Sequence, residues 1–426
     1  MKIKLKNIRL FFILVFIFFD SVGLSFGLQW TMLLTPILFF NTIFQYKKAY
    51  LLAISIYLFF FVCHYSAHIA SFSDYIKSSF LHFTVVIICI AFHSILRKNR
   101  FVIFDAFDKA VVINFILTLT GIALFLVGNM FMWQTAIGNG AFAHLPRLRL
   151  LTYEPSVYST FLLPIFFFYF ARLTEKVKRN NLISLALITL SLALSLSLGV
   201  ISTIVFVLFF INILALKRKS MMIIMGCFIL FCLGLVFLFF INPNNSLFAR
   251  IADVVNMQDV SGNARLFDPW TLSYQILKKN GNTFFTGIGW GQIKIVGHDI
   301  IQNFYGYFDN DDSQDVSYGL PNLVCAMLTT TGILGLCIYF SILIYFYRKT
   351  KVSKSGYRKY LFWFAFIYQF TSGYTSFTLL YVIFILAYYP PIDTYFVQFK
   401  NVITKKKKSR LRGIPQPAVE KIILSR

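Results

Sequence analysis

Apolar runs of about 17–25 residues, the length a helix needs to cross a bilayer, recur along the whole chain and alternate with short basic loops. This alternation restricts the fold most, because backbone polar groups in hydrocarbon must be satisfied internally, as they are within a helix. The runs place spans at 8–26, 28–45, 50–69, 78–95, 110–131, 154–171, 182–197, 199–216, 221–241, 320–347, 360–373 and 375–390. Charged residues are only 13% of the chain, about half the share of an average soluble domain, so no separate soluble domain is expected. The first run follows Lys2, Lys4, Lys6 and Arg9 as a signal peptide would. It lacks a small-residue cleavage site and reads as a retained first helix.

The expected fold is an all-α polytopic membrane protein of about twelve transmembrane helices with one large external loop. Residues 1–241 hold helices one to nine with short loops, 242–319 the external loop with short surface helices, and 320–426 the last three helices and a basic tail. The pairs 182–216 and 360–390 each also read as one broken or re-entrant element, since no polar loop separates their halves.

A formal net charge of +24 suggests nucleic acid in a soluble chain, but here the basic residues sit between spans. With both termini in the cytoplasm, 32 of the 40 lysines and arginines fall inside, as positive-inside topology requires. Lys77, Arg147, Arg149, Arg250, Arg265, Lys278, Lys279 and Lys294 are left outside. These exceptions point to function more than any cytoplasmic lysine does. The six cysteines contain no CxxC pair and support neither a disulfide framework nor a metal cluster.

Two external arginines stand in Arg147-Leu-Arg-Leu-Leu-Thr-Tyr-Glu-Pro-Ser156, a stretch that opens an apolar helix. Pro155 suits the first helical position, where its missing N–H costs nothing. The positive end of that helix beside Arg147 and Arg149 makes an anion site, with phosphate or diphosphate the natural guest. The plainer reading is that the arginines only flank a membrane helix.

The loop 242–319 is long enough to be functional. Asp268-Pro269 begins a short helix in which Trp270, Tyr274 and Leu277 recur at helical spacing, and Lys278-Lys-Asn-Gly281 stops it. A second amphipathic piece, Phe248 to Val255, carries Arg250. Gly287-Ile-Gly-Trp-Gly291 offers a backbone able to approach a ligand closely, with GxGxG spacing that is not the dinucleotide fingerprint. Asp309 to Asp312 with Asp315 lack the glycine and distant glutamate of an EF-hand and read as a solvated acidic turn. His64, His68 and His82 lack carboxylate or cysteine partners and read as packed or solvent-facing, so no metal is assigned.

Several of these pieces together resemble the O-antigen polymerases, the Wzy family of oligosaccharide repeat-unit polymerases and relatives of the O-antigen ligases. The pieces are Arg149 through Glu154-Pro-Ser156, the Ser195–Ser202 stretch SLSLGVIS, and Arg265 ahead of the loop helix. The Gly287–Gly291 turn and Pro321-Asn322 leading into TTTGILGL at 329–336 complete the order. The resemblance implies transfer of a growing glycan from undecaprenyl diphosphate onto a sugar hydroxyl of another lipid-linked unit, outside the cytoplasmic membrane and without a cofactor. It implies Glu154 and Arg265 as catalytic residues and Arg147, Arg149 and Arg250 as diphosphate ligands; Glu154 reads equally as a residue that only caps the helix or pairs with an arginine. Gly287, Gly289, Gly291, His298 and Asn322 would form a substrate loop, with His298 or Asp315 as substitute proton acceptors. Its partners would be the lipid-linked donor and acceptor, membrane lipid, a chain-length regulator and a repeat-unit flippase, with no nucleic acid. Relatives often carry His-Asn where this chain has Pro321-Asn322, so no histidine base transfers to that position.

Three other functions compete. A ligase would use the same donor with a lipid A core acceptor. A lipid-linked glycan flippase would do no covalent chemistry, and a scaffold would use the external loop to bind a partner. Asp20 is the one formal charge well inside a predicted span, which disfavours a coupled transporter.

Overall fold

The computed structural model describes residues 10–11, 13–14, 30–67, 69–98, 102–135, 146–175, 178–214, 260–281, 283–305, 320–354, 356–373, 375 and 377–396. The elements are α1 Thr35–Thr42, α2 Lys47–Ser66, α3 Phe72–Lys98, α4 Val102–Leu126, the strands β1 Trp133–Thr135 and β2 Pro146–Leu148, α5 Pro155–Glu175, α6 Arg179–Ser195 and α7 Leu198–Leu214. There follow α8 Val260–Leu266, α9 Asp268–Lys279, α10 Ile293–Val296, α11 His298–Tyr305, α12 Leu323–Lys349, α13 Gly356–Tyr368 and α14 Thr378–Ala387. Among the described residues, α2, α3, α4, α5 and α12 are long and apolar enough to cross a membrane.

The observed elements refine several expectations. Within the span placed at 28–45 a 3-10 segment, Trp30–Leu34, runs directly into α1, which has eight residues. The pair 182–216 is two helices, with Leu196 in the left-handed region at φ 46° between them. The pair 360–390 is likewise split into α13 and α14. A two-stranded antiparallel hairpin, with Gln134 opposite Arg147, departs from the all-α expectation. On α9 the buried face is Leu272, Ser273, Ile276 and Leu277. Trp270 and Tyr274, expected to mark one apolar stripe with Leu277, face outward. The first span is described only at four of its residues, and the spans and pieces at 221–241 and 248–255 lie outside the described residues.

The helices share one pair of ends. At one end the Arg358 guanidinium donates to the Thr350 and Ala387 carbonyls at 2.7 Å and to Asp393 at 2.5 Å. Arg172 of α5 pairs there with Asp108 of α4 at 3.7 Å, and the Tyr389 hydroxyl donates to the carbonyl of Leu96 at 2.7 Å. The opposite end gathers His64, Tyr75, the hairpin, the start of α5, the segment 260–305 and the start of α12.

Between α4, α5 and α6 runs a buried polar chain. The Tyr158 hydroxyl donates to Asn114 Oδ1 at 2.7 Å, and Asn114 Nδ2 donates to Ser191 Oγ at 2.9 Å. Ser159 donates to Ser195 at 2.7 Å, which docks the SLSLGVIS break onto α5. Buried polar groups are costly when unpaired, so these bonds fix how the helices rotate against one another. Tyr158→Phe should lower unfolding free energy by about 1–3 kcal/mol, read by thermal or denaturant unfolding in detergent, by leaving Asn114 Oδ1 without its donor.

Candidate functional site

The start of α5 is built by the hairpin before it. The carbonyl of Met132 accepts from the backbone N–H groups of both Arg149 and Leu150, at 3.0 and 3.1 Å. Leu150 then takes φ 49°, and Thr152 closes the turn by donating its backbone N–H to the Arg149 carbonyl at 3.0 Å. The Thr152 hydroxyl sits between the carbonyls of Arg149 and Glu154, at 2.7 and 2.9 Å. Glu154 O accepts from the Tyr158 N–H at 3.1 Å, so Glu154 caps the helix and Pro155 is its first residue. Its carboxylate is thereby held at the positive end of α5.

Arg265 arrives from 111 residues away along the chain, at the end of α8. Its Nη2 lies 3.4 Å from Glu154 Oε1, with the two side chains 34% and 28% exposed. Arg149 borders the same place from its own turn, donating to the Tyr153 carbonyl at 3.5 Å and the Phe131 carbonyl at 3.3 Å. Two guanidinium groups therefore stand at residues 153 and 154, both reachable from solvent. Arg147 is half-buried on β2 opposite Gln134. A small gap lined by Leu117, Leu150, Leu151, Thr152, Tyr158, Phe161 and Leu162 lies beside this turn, with room for no more than about one water.

Behind the ion pair, Thr160 on α5 donates to the Tyr368 hydroxyl at 3.4 Å. Tyr368 lies within electrostatic reach of both Arg265 and Glu154. Asn322 is fully buried. Its Oδ1 accepts from the Cys325 N–H at 3.2 Å, capping α12, while its Nδ2 donates to the carbonyls of Arg265, at 3.2 Å, and Phe370.

The glycine turn makes its close approach to another stretch of backbone. Helix α12 breaks at Gly332, where φ is 67°, and the turn fills the break. Ile288 and Gly289 donate to the carbonyls of Thr329 and Thr330 at 2.9 and 3.0 Å, and Ile333 and Leu334 donate back to Phe284 and Phe285 at 2.9 and 3.1 Å. Gly287, Gly289 and Gly291 all have positive φ. A Cβ on Gly291 would stand 2.4 Å from Ser78 Oγ, so this glycine seats the turn on α3.

Buried His64 pins the same turn, with Nε2 2.7 Å from the Thr286 carbonyl and Nδ1 2.9 Å from the Tyr75 hydroxyl. Gln292 exchanges two 2.9 Å bonds with the backbone of Ser71, and Lys294 pairs with Asp74 at 3.0 Å. The packed reading of His64 fits these contacts. His82 bonds Thr375 at 2.6 Å.

His298 stands in a surface ion cluster, 3.4 Å from Asp299, which lies 3.6 Å from Lys279. Burial raises the Asp268 carboxyl above its ordinary range, against the lowering effect of its bond from Tyr305 at 3.3 Å. Arg250, His68 and Asp309 to Asp315 lie outside the described residues. Among the described residues no three metal-ligating side chains converge.

The stretch from α6 through the outer loop to the middle of α12 carries a family signature. Residues 183–340 match the family model described as O-antigen ligase. Over that stretch the chain is similar to the O-antigen ligases. A comparison with curated proteins finds no match. Arg265, the glycine turn, His298 and Asn322 lie within the matched O-antigen ligase stretch, whereas Arg147, Arg149 and Glu154 precede it. The five described helices long and apolar enough to cross a membrane, together with this similarity, describe a multi-pass membrane protein.

Tyr368, Thr160, His64 and Gln292 did not emerge from the sequence as site-building residues. Each works through a partner tens to hundreds of residues away, and the lone polar residues gave no periodic or spacing signal.

Proposed function

We propose that the protein polymerises oligosaccharide repeat units carried on a polyprenyl diphosphate, on the non-cytoplasmic face of the bacterial inner membrane. The observation that carries this reading is the meeting of Arg265 with Glu154 at 3.4 Å, beside Arg149 at the start of α5. A sugar diphosphate leaves as an anion, and guanidinium forks are suited to bind and stabilise it. The acceptor hydroxyl oxygen forms a bond to the donor's anomeric carbon, and the bond from that carbon to the diphosphate oxygen breaks. The hydroxyl proton passes to Glu154, and the polyprenyl diphosphate departs with both bonding electrons.

Glu154 and Arg265 occupy one another before substrate arrives. A bound diphosphate competes for the guanidinium and frees the carboxylate to accept the proton. Positive-inside topology supports placing this end of the molecule outside, because the opposite end carries Arg172, Arg348, Lys349 and Arg358.

Purified protein in detergent, given lipid-linked repeat units, should elongate them into a ladder, and Glu154→Gln should reduce turnover by about 10²–10⁴-fold. Failure of the unaltered protein to elongate freely accessible substrate would reject the polymerase reading. A ligase remains the second reading because the matching model bears that description. Transfer to lipid A core with no ladder in its absence would select it.

A further inference from the structure

We infer that Asn322 is a positioning residue that sets where Arg265 stands relative to Glu154, which rests on the glycosyl-transfer reading above. The amide is wholly buried, and its described contacts are all to backbone. Its Oδ1 accepts from Cys325 N–H, and its Nδ2 donates to the carbonyl of Arg265 itself and to that of Phe370. A neutral side-chain amide supplies one acceptor and two donors. Asn322 uses one for the helix cap and two to join α8 to the turn after α13. Of these bonds, the one to the Arg265 carbonyl fixes the main chain from which the guanidinium extends.

The same arrangement explains why a residue in the middle of the family motif touches no carboxylate. Asn322 acts through Arg265, and its bond to the Phe370 carbonyl ties it to the turn that follows Tyr368, whose hydroxyl receives the Thr160 bond. Serine at this position keeps an oxygen able to cap α12 but has no pair of donors for the two carbonyls. Asn322→Ser therefore separates helix capping from positioning, whereas Asn322→Ala removes both.

Two measurements on the full-length protein test the assignment. In the first, Glu154→Cys and Arg265→Cys are combined and joined with a short bifunctional thiosulfonate. Adding Asn322→Ser should reduce the crosslinked fraction severalfold in protein that remains folded by thermal unfolding. This readout needs no activity, so an unchanged fraction overturns the positioning role whatever the chemistry.

In the second, Asn322→Ser should lower turnover of lipid-linked repeats by about 10- to 100-fold, the cost of a displacement near 1 Å. In an Arg265→Ala background the same change should have an effect within about twofold, because the residue it acts through is already gone. An equal loss in both backgrounds would mark Asn322 as a purely structural residue and overturn the inference. A lost crosslink together with full activity in Arg265→Ala would instead defeat the proposed role of Arg265 and leave the positioning intact.

Discussion

Arg265→Ala should abolish long glycan chains while single repeats accumulate on their lipid carrier. Removing one preorganised group that stabilises developing negative charge costs about 10²–10³ in turnover. The fold should hardly notice. Arg265 and Glu154 are each about one-third exposed and 3.4 Å apart, and a pair this open to solvent contributes about 0–1 kcal/mol. Unfolding in detergent should therefore change little while the ladder on a gel disappears. Arg265→Lys keeps the charge but loses the planar fork that grips two oxygens, so it should fall between the two. Normal ladders from Arg265→Ala would remove this residue from the chemistry.

Gly287→Ala should have the largest effect on the fold. An added Cβ would lie 2.3 Å from the Thr330 carbonyl carbon and 2.5 Å from the Thr331 nitrogen, at a φ of +77° that L side chains rarely adopt. No flexible side chain is there to give way. The strain of the left-handed conformation alone costs about 1–3 kcal/mol, and the clash drives the turn out of the α12 break, breaking the bonds to Thr329 and Thr330. A total loss of about 3 kcal/mol or more is expected, seen as a lowered unfolding midpoint and faster proteolysis within 260–305. Gly356→Ala is the control, because a Cβ there meets nothing within 4 Å. Equal stability of the two variants would disprove the account of the turn.

Much of the membrane architecture was legible because hydrocarbon imposes length and composition directly on each segment. Within 28–45 the described α-helix is shorter than the apolar run that contains it. Apolar runs around α1 measure affinity for lipid or core, and neither demands one continuous helix. The Arg149–Glu154 turn was readable from local chemistry: proline at the first helical position, an acid before it and basic residues ahead. Arg265 was singled out as a basic residue on the wrong side of the membrane.

The bond pattern at Asn322 was not readable, nor was the true partner of the glycine turn. The glycines were read as a backbone able to approach a ligand closely, and nothing in their spacing told a ligand from another chain segment. On α9, a stripe of Trp270, Tyr274 and Leu277 fitted helical spacing as well as the real buried face did. Ser273 belongs to that face because its hydroxyl bonds the Cys325 carbonyl and receives the Thr329 hydroxyl, at 3.3 and 2.9 Å, which a tally of apolar residues cannot foresee.

The crossing of the glycine turn and the α12 break is made of main-chain amides and carbonyls, which every amino acid other than proline presents alike. That crossing thus asks for glycine and little else, while Ser273 with Thr329 and Asn322 with Arg265 tie the neighbouring segments through side chains. Under the proposed function, the solvent-facing surface of the same segment could be rewritten for a different sugar while this crossing stays put. A crossing of this kind would let one frame serve more than one glycan.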